Sequence, residues 1–179
     1  APLVAFLDCN DAWEPGLLNA HAEAFRRTPT AGLHYTSLWD CNETLEPVGN
    51  PRAVPERHGV DLFPEAYLEG FPIPPSVTCV RREATLASGP YDTRLRVAED
   101  LDFALRLLLL FPASSSPEPL ARRRRHADSL TRTTTAAEHI RCEELLWRNV
   151  GAAAARHGRE LPPPADHRWS ADPPERSSS

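Results

Sequence analysis

The sequence has 179 residues, 41% of them hydrophobic and 25% charged, which is typical of one globular domain. A formal net charge of −5 excludes a strongly basic surface, so we expect no nucleic acid partner. The longest apolar run, "FALRLLLLF", is interrupted by an arginine and is too short to cross a membrane, so no membrane span is predicted.

The first quarter of the chain predicts two strands with a helix between them. Residues 3–7 form a continuous apolar run that ends at Asp8, a pattern typical of a strand buried on both faces in a parallel or mixed sheet. A helix is predicted from Pro15, where apolar residues recur at helical spacing, to the stop at Thr28. Alternating apolar residues in 32–40 predict the second strand.

A proline-rich insert follows the second strand. Residues 41–75 contain seven prolines and three glycines, and only 62–70 have weak helical character. Long loops in compact domains are often binding loops or lids, so we interpret this insert as an acceptor-binding loop. Residues 76–92 then begin as a strand, become helical near Arg82 and end at a Gly-Pro pair.

The second half of the chain predicts two amphipathic helices and one strand. Residues 98–111 carry a wide apolar stripe, and acidic residues stand at the N-terminus of this predicted helix. Residues 118–131 predict a last strand and loop. Residues 136–158 have the length and apolar periodicity of a helix.

An acidic and amide cluster ends the first predicted strand, at Asp8, Asn10 and Asp11. In an α/β sheet, ligands bind at the carboxyl ends of strands, and clustered oxygen atoms suit a divalent cation that bridges phosphates. An Asx turn explains the same residues without any ligand, because Asn and Asp side chains commonly bond to nearby backbone. Both interpretations stay open at this point.

A second acidic pair, Glu99 and Asp100, stands at the start of the predicted helix. It is either a favourable helix N-terminus or, within a pocket, a general base. The basic run from Arg122 to Arg125, followed by His126, is either a solvated face or a loop that meets a pyrophosphate.

Three segments resemble, in the same order, the second half of family-two inverting glycosyltransferases, which have the GT-A fold. The family's pattern runs from an apolar strand with Asp-x-Asp-Asp, Trp and Pro, through a Gly-aromatic-Asp turn and Glu-Asp-x-Asp, to Arg-x-His-x-x-Ser. The resemblance covers about residues 3–131 and implies an α/β, GT-A-like fold with a mixed sheet flanked by helices. The matching segments are "VAFLDCNDAWEPGLL", "IPPSVTCVRREATLASGPYDTRLRVAEDLDFALRLLL" and "EPLARRRRHADSLT".

The resemblance implies a role for each matching position. Asp100 would be the catalytic base, and Glu99 would help to hold the acceptor. The nucleotide or its diphosphate would be contacted by Asp8, Trp13, Arg124, His126 and Ser129. For Trp13, packing in the core is the simpler alternative.

The resemblance also implies a bound Mg²⁺ or Mn²⁺ and, as substrates, a nucleoside diphosphate sugar, expected to be a UDP-sugar, and a saccharide acceptor. The implied metal ligands are Asp8, Asn10, Asp11 and His126. The position of the family's main ligand is occupied here by Asn10, whose amide oxygen binds a cation but adds no charge. Asp11 would then have to substitute for the missing carboxylate.

The family holds the nucleotide base with a preceding half-domain that contains an Asp-Gly-Ser loop, and the sequence has no such segment. We therefore expect the N-terminal nucleotide-binding half to be missing and a partner chain to cover the exposed sheet edge. The predicted activity is sugar transfer to a hydroxyl of a saccharide or cell-envelope acceptor. The alternative is a truncated, non-catalytic module that binds a glycan or a protein.

Three regions are predicted along the chain. Residues 1–131 form the second half of a GT-A-like domain and 132–160 form an extra helix. Residues 161–179 are a Pro- and Ser-rich tail with too few apolar residues to fold. The four cysteines are scattered without a C-x-x-C pair, which predicts reduced thiols in a cytoplasmic protein.

Overall fold

The computed structural model describes residues 1–71, 73–125 and 133–161. This part of the chain is an α/β structure, in which helices flank one mixed sheet of six strands. The strands are β1 (Leu3–Ala5), β2 (Ala12–Trp13), β3 (Leu33–Cys41), β4 (Arg57–Val60), β5 (Thr78–Arg81) and β6 (Ala113–Arg124). The helices are α1 (Leu17–Arg27), α2 (Phe63–Glu69), α3 (Arg82–Ser88), α4 (Glu99–Leu108) and α5 (Ala136–Arg156), with a 3₁₀ turn at Pro75–Val77. None of these helices is long and apolar enough to cross a membrane. The first residue of the predicted tail, Leu161, packs against the core and so does not belong to an unfolded segment, and the rest of the tail, 162–179, lies outside the described residues.

The strands lie in the order β1-β5-β3-β6-β2, and β4 pairs with the start of β6. Only β3 and β6 are parallel to each other among these pairs of described strands, beginning with Leu33 opposite Ala113. Because β3 has a neighbour on both sides, its first six residues are buried. The strand that the alternation predicted is thus confirmed, and it is a central strand of the sheet.

β1 differs from the strand that the sequence predicts. It has three residues, pairs with β5 and lies at the end of the strand order. Its residues are only half-buried, so the expectation of a strand buried on both faces is wrong. A continuous apolar run does not specify how many neighbours a strand has, and an edge strand leaves one side uncovered.

The sequence patterns do not predict two short strands, β2 and β4, or the first part of the long strand β6. β2 and β4 have two and four residues, too few for a periodicity to appear. β6 begins at Ala113 rather than at residue 118, and it includes Pro117 and Pro119. Prolines normally argue against a central strand. Here register shifts along β3, between Thr36 and Ser37 and again before Trp39, accommodate them.

The two faces of the sheet are covered by different helices. One core cluster contains Val80 of β5 together with buried leucines of α4 and α5. The neighbouring residue Cys79 belongs to another cluster, with Phe25 of α1. Successive residues of a strand point to opposite faces, so α4 and α5 cover one face and α1 covers the other. The apolar stripe predicted for α4 is confirmed, since its members are at most 8% exposed, and burial extends beyond the stripe to Leu107, which is fully buried; the members are Leu101, Ala104, Leu105, Leu108 and Leu109.

Gly32, just before β3, packs closely against Phe111, which follows α4. A Cβ atom built on Gly32 would lie 2.4 Å from Cβ of Phe111, which cannot move without its backbone. We expect Gly32→Ala to lower the free energy of unfolding by about 2 kcal/mol, the usual range for overpacking. The matched control is Gly151→Ala in α5, where a new Cβ meets nothing within 4 Å. This control should stabilise the protein by up to about 1 kcal/mol, because alanine favours the helix. Urea denaturation of both variants measures the two signs, and a neutral Gly32→Ala would contradict the packing.

A buried histidine pair joins α1 to β3. Nδ1 of His21 lies 2.7 Å from Nδ1 of His34, and Nε2 of His34 lies 3.0 Å from Oγ of Ser116. Both rings are at most 1% exposed. Burial, followed by the charge of His34, lowers the pKa of His21 to about 3. Burial, followed by the charge of His58, lowers the pKa of His34 to about 4.

This pair makes the protein sensitive to acid. The unfolded chain takes up protons on both rings below about pH 6.5, whereas the folded protein keeps them neutral down to about pH 4. The unfolded state therefore binds more protons, and the free energy of unfolding falls as the pH falls from 6.5 to 4. We expect a loss of about 2 kcal/mol between pH 7.5 and 5.5, measured by urea denaturation. Replacing the exposed His157 with glutamine should leave this loss unchanged, and equal stability at both pH values would contradict the prediction.

Candidate functional site

Three aromatic rings bring the end of β1 to the start of α4. The rings of Tyr91 and Phe103 are stacked, with centroids 4.5 Å apart, and Phe6 meets each of them edge-on, at 5.9 and 6.1 Å. Such pairs add to the stability that ring burial provides. Phe6 is two residues before Asp8, and Phe103 is three residues after Asp100. The aromatic cluster thus fixes the distance between the two acidic segments that the sequence singles out.

Four carboxyl groups, Asp8, Asp11, Glu99 and Asp100, form what we call the acid cluster. Burial raises the pKa of Asp8, and the charges of Asp11 and then of Asp100 raise it further. Burial also raises the pKa of Glu99, with added contributions from the charges of Asp100 and Asp8. Like charges raise each other's pKa only when they are close together. The two acidic segments are therefore near enough to influence each other's protonation.

Asp100 lies in the first turn of α4 and is held there by the backbone. The N–H of Leu101 donates to Oδ1 of Asp100 at 2.8 Å. Burial nevertheless raises the pKa of Asp100 above its ordinary value, more than the backbone N–H groups lower it. Ala98, two residues before Asp100, has a φ of 62°, a left-handed conformation that is uncommon for residues with a Cβ. Strained backbone of this kind is concentrated at functional sites.

The first acidic segment is a tight turn. The N–H of Asp11 donates to the carbonyl of Asp8 at 3.0 Å. Oγ of the buried Ser76 accepts from the N–H of Asp8 at 3.1 Å and donates to Oδ2 of Asp11 at 2.6 Å. The Asx-turn interpretation, in which an Asn or Asp side chain accepts from nearby backbone, is not tested by these bonds; what they show is a backbone turn from Asp8 to Asp11. It does not exclude a ligand, because no hydrogen bond of this turn uses the carboxylate of Asp8 among the described contacts.

The basic run is a strand rather than a loop or a freely solvated face. Arg122 pairs with Glu14, and Arg123 pairs with Asp40 at 2.6 Å. Arg124 contacts the first acidic segment: its backbone N–H donates to Oδ1 of Asp11 at 3.0 Å. The strand predicted within 118–131 therefore continues to Arg124, and its arginine side chains have partners on neighbouring elements instead of forming the solvated face of the first interpretation.

The guanidinium of Arg124 donates to two backbone carbonyls, those of Asn10 and Glu43, at 2.9 and 3.0 Å. It thereby joins the first acidic segment to the start of the proline-rich insert. The predicted site residues His126 and Ser129 lie outside the described residues. The structure therefore brings Arg124 to the acid cluster and leaves the other two residues of this motif untested.

Trp13 packs below the first acidic segment. Its Nε1–H donates to the carbonyl of Ser76 at 2.8 Å, and its ring packs against Leu38, Val77 and Ala121. This is the packing role that the sequence offered as the simpler alternative. The indole also fixes Ser76, the residue that bridges Asp8 and Asp11.

The sequence analysis assigned no role in the site to two residues, Ser76 and Tyr91. Ser76 connects the acidic turn to the 3₁₀ segment, and nothing in its neighbourhood distinguishes it from other serines. Tyr91 stands in the Gly-aromatic-Asp turn, which was visible as a motif but had no assigned role. Burial raises the pKa of its phenol, followed by the charges of Asp100, Glu99 and Asp8. Tyr91 therefore stays protonated beside the acid cluster and can donate a hydrogen bond there.

The acid cluster fits a divalent cation in charge, since the charges that raise the pKa of Asp8 are those of other carboxylates. Asp8 and Asn10 supply oxygen atoms of the kind that Mg²⁺ and Mn²⁺ prefer. Asp11 fits less well, because both of its carboxylate oxygens already accept hydrogen bonds. Within the described ranges, no group of three or more His, Cys, Asp or Glu side chains could hold a metal ion by itself.

The site is thus a cluster of carboxylates between two chain segments that meet through aromatic packing, with an arginine and a protonated tyrosine beside it. Such an arrangement can accept a proton, bind a hydroxyl or bind a cation. A scan against models of protein families and a search of curated proteins give no match to this sequence.

Proposed function

We propose that this chain is the acceptor-binding half of a GT-A-like inverting glycosyltransferase. It would transfer a sugar from a nucleoside diphosphate sugar to a hydroxyl of a saccharide or cell-envelope acceptor. The observation that supports this proposal best is the electrostatic contact between Asp8 and Asp100, which lie far apart in the chain. A donor site and a base must share one cleft for direct transfer, and the influence of Asp100 on the pKa of Asp8 supports such an arrangement.

In this proposal Asp100 takes the proton of the attacking hydroxyl. Its raised pKa makes it a stronger base than an ordinary aspartate, provided that it is ionised at the working pH. The hydroxyl oxygen forms a bond to the anomeric carbon while the bond to the diphosphate oxygen breaks, and the electron pair leaves with the nucleoside diphosphate. Glu99 holds the acceptor. A single displacement of this kind inverts the anomeric centre.

The donor side belongs to the first acidic segment. Asp8 and Asn10 would hold Mg²⁺ or Mn²⁺, which when bound would neutralise charge on the departing diphosphate. Arg124 joins this segment to β6, and we assign its motif partners, His126 and Ser129, to the diphosphate as well. Trp13 would contribute to the donor side by fixing the turn that carries Asp8.

In this proposal a further chain segment, which we place at the free edge of β1, holds the nucleotide base, whereas the contacts to the diphosphate and the metal belong to the residues named above. Leu3–Ala5 are half-buried there, and β1 pairs with β5 on its inner side. An edge strand offers unpaired backbone groups to another strand. We place the protein in the cytoplasm, in keeping with four cysteines that are free thiols.

One observation favours a second candidate, a non-catalytic module that binds a glycan or a protein. The position of the family's main metal ligand is an asparagine, and both oxygens of Asp11 accept hydrogen bonds. These two bonds occupy one lone pair on each oxygen and fix the orientation of the carboxylate, so Asp11 is less free than an unbonded aspartate to turn towards a cation.

Calorimetry separates the two candidates. We expect saturable heat when UDP is added to the full chain with Mn²⁺, because the contacts proposed for the metal and the diphosphate belong to this chain, and we expect Asp8→Asn to weaken this binding at least about tenfold. The matched control is Asp61→Asn. Asp61 is exposed and pairs with Arg159, and none of its described contacts is with the acid cluster, so this variant should bind UDP normally. Absence of heat with the unmodified chain would contradict nucleotide-sugar transfer and favour the binding module.

A further inference from the structure

A polar cavity lies between the turn that follows α3, the second half of α4 and the C-terminal half of α5. Residues 88–93 line it from the turn, Arg106 lines it from α4, and Asn149, Ala152 and Arg156 line it from α5. Its volume is about 360 Å³, which lies within the range of about 300–1,000 Å³ that small-molecule sites occupy. The four carboxyl groups of the acid cluster are not among its lining residues, so this cavity is a separate site.

The buried Arg106 forms one wall of the cavity but has no donor left for a ligand. Its Nε–H and one Nη2–H donate to Oδ2 of Asp102. Its other three N–H groups donate to backbone carbonyls in the turn, those of Ser88, Gly89 and Pro90. A guanidinium has five N–H groups, and all five are used. The charge of Arg106 is likewise matched by Asp102, so a ligand must be recognised by other lining groups.

Asn149 presents a hydrogen-bond acceptor at the wall of the cavity. Its Nδ2 donates to Oδ2 of Asp92 at 2.8 Å and to Oδ1 of Asp102 at 3.0 Å. Carboxylate oxygens accept, so these two bonds fix the orientation of the amide and use both of its N–H groups. The described contacts give Oδ1 of Asn149 no donor. A hydroxyl group of a ligand can supply one.

The charges around the cavity leave one cation without a partner. Asp92 pairs with Arg94 at 2.7 Å, and hydrogen bonds from Arg94 hold the pKa of Asp92 well below its usual range. Arg106 pairs with Asp102. Arg156 is exposed in the last turn of α5, and within the described residues its guanidinium has no ion pair or hydrogen bond. One positive charge therefore remains at this cavity, and it favours an anion.

We propose that the cavity binds a small hydroxylated anion, in which a carboxylate or phosphate group is carried on a hydroxyl-bearing carbon skeleton. Arg156 donates to the oxyanion, and a hydroxyl of the ligand donates to Oδ1 of Asn149. An anion without hydroxyls leaves Oδ1 of Asn149 without a donor, and a neutral polyol leaves the charge of Arg156 without a partner. This site goes beyond the proposed function and does not depend on it, because binding needs neither a nucleotide nor the acid cluster.

The experiment titrates four probes into the full chain at low ionic strength and follows the backbone amides by NMR. Glucuronate and glucose 6-phosphate carry both features, glucose lacks the anion, and acetate lacks the hydroxyls. We expect at least one of the two hydroxylated anions to bind about tenfold or more tightly than both glucose and acetate. The largest shift changes should fall in residues 88–93. Preference for glucuronate identifies a carboxylate ligand, and preference for glucose 6-phosphate identifies a phosphate ligand.

Two matched pairs of variants on α5 locate the site. Arg156→Gln should weaken binding of the hydroxylated anion at least about tenfold, whereas Arg148→Gln, at an exposed position that does not line the cavity, should change it less than about twofold. Ala152→Phe fills the cavity and should also weaken binding, and Ala155→Phe should not. Circular dichroism shows that each variant is folded.

Three results would overturn the proposal: binding of none of the probes, equal affinity for glucose and the hydroxylated anions, or equal behaviour of the two arginine variants. Shift changes centred outside the turn would also overturn it, because they would place the probe elsewhere. Since neither UDP nor a metal is present, failure of UDP to bind would affect only the proposed function.

Discussion

Replacing Asp100 with asparagine is expected to lower kcat by a factor of about 10²–10⁴, the usual contribution of a general base. Asparagine has nearly the same shape but cannot accept the proton of the attacking hydroxyl. Nucleotide affinity should change little, because Asp100 acts on the acceptor side of the cluster. The measurement is turnover with a UDP-sugar and a saccharide acceptor, beside calorimetry with UDP.

The pH dependence gives a second readout of the same role. Burial raises the pKa of Asp100 above the ordinary aspartate value of 3.8, so the acid limb of the kcat profile should lie above that value. Protonation removes the base, and kcat therefore falls as the pH falls through this pKa. Asp61→Asn, at an exposed site, should leave both the rate and the profile unchanged. Unchanged turnover in Asp100→Asn would remove Asp100 from the role.

The long elements of the fold were predictable because their signals are local. α4 and α5 have apolar residues at helical spacing over several turns, and β3 alternates over most of its length. The short strand β4 was hidden in the proline-rich insert, since its partner Ser115 comes more than fifty positions later. Pairing between distant segments leaves no periodic trace in a stretch of four residues.

The site was predictable in part for the same reason. Asp8 and Asp100 were found from motifs, and the order of those motifs was sufficient to expect their convergence. The means of convergence was not visible: Phe6, Tyr91 and Phe103 are ordinary aromatic residues until the fold stacks them. The partners of Arg124 were likewise hidden, because they are backbone carbonyls, which carry no residue-specific signal.

A buried ion pair secures the turn that carries Tyr91. Nε and Nη2 of Arg106 donate to Oδ2 of Asp102 at 3.0 and 2.7 Å, and the two side chains are 9% and 0% exposed. The same guanidinium donates to the carbonyls of Ser88 and Pro90, at 2.5 and 2.9 Å. All of its nitrogen atoms thus have partners, as a buried charge requires.

The pair also reaches α5. Nδ2 of Asn149 donates to Oδ1 of Asp102 at 3.0 Å and to Oδ2 of Asp92 at 2.8 Å. Asp92 follows Tyr91 directly in the chain. One network therefore holds α4, α5 and the turn together.

We expect Asp102→Asn to lower the free energy of unfolding by about 3–5 kcal/mol, because it leaves the charge of Arg106 buried without its counter-charge. The matched control is Glu23→Gln, which breaks the exposed pair with Arg26 and should change stability little. Replacing both Asp102 and Arg106 with leucine should recover part of the loss, since no unpaired charge then remains. Guanidinium denaturation followed by circular dichroism measures all three variants. If the Asp102→Asn variant were as stable as the Glu23→Gln control, the aromatic stack alone would hold the turn. The ion pair would then have no part in positioning Asp8 beside Asp100.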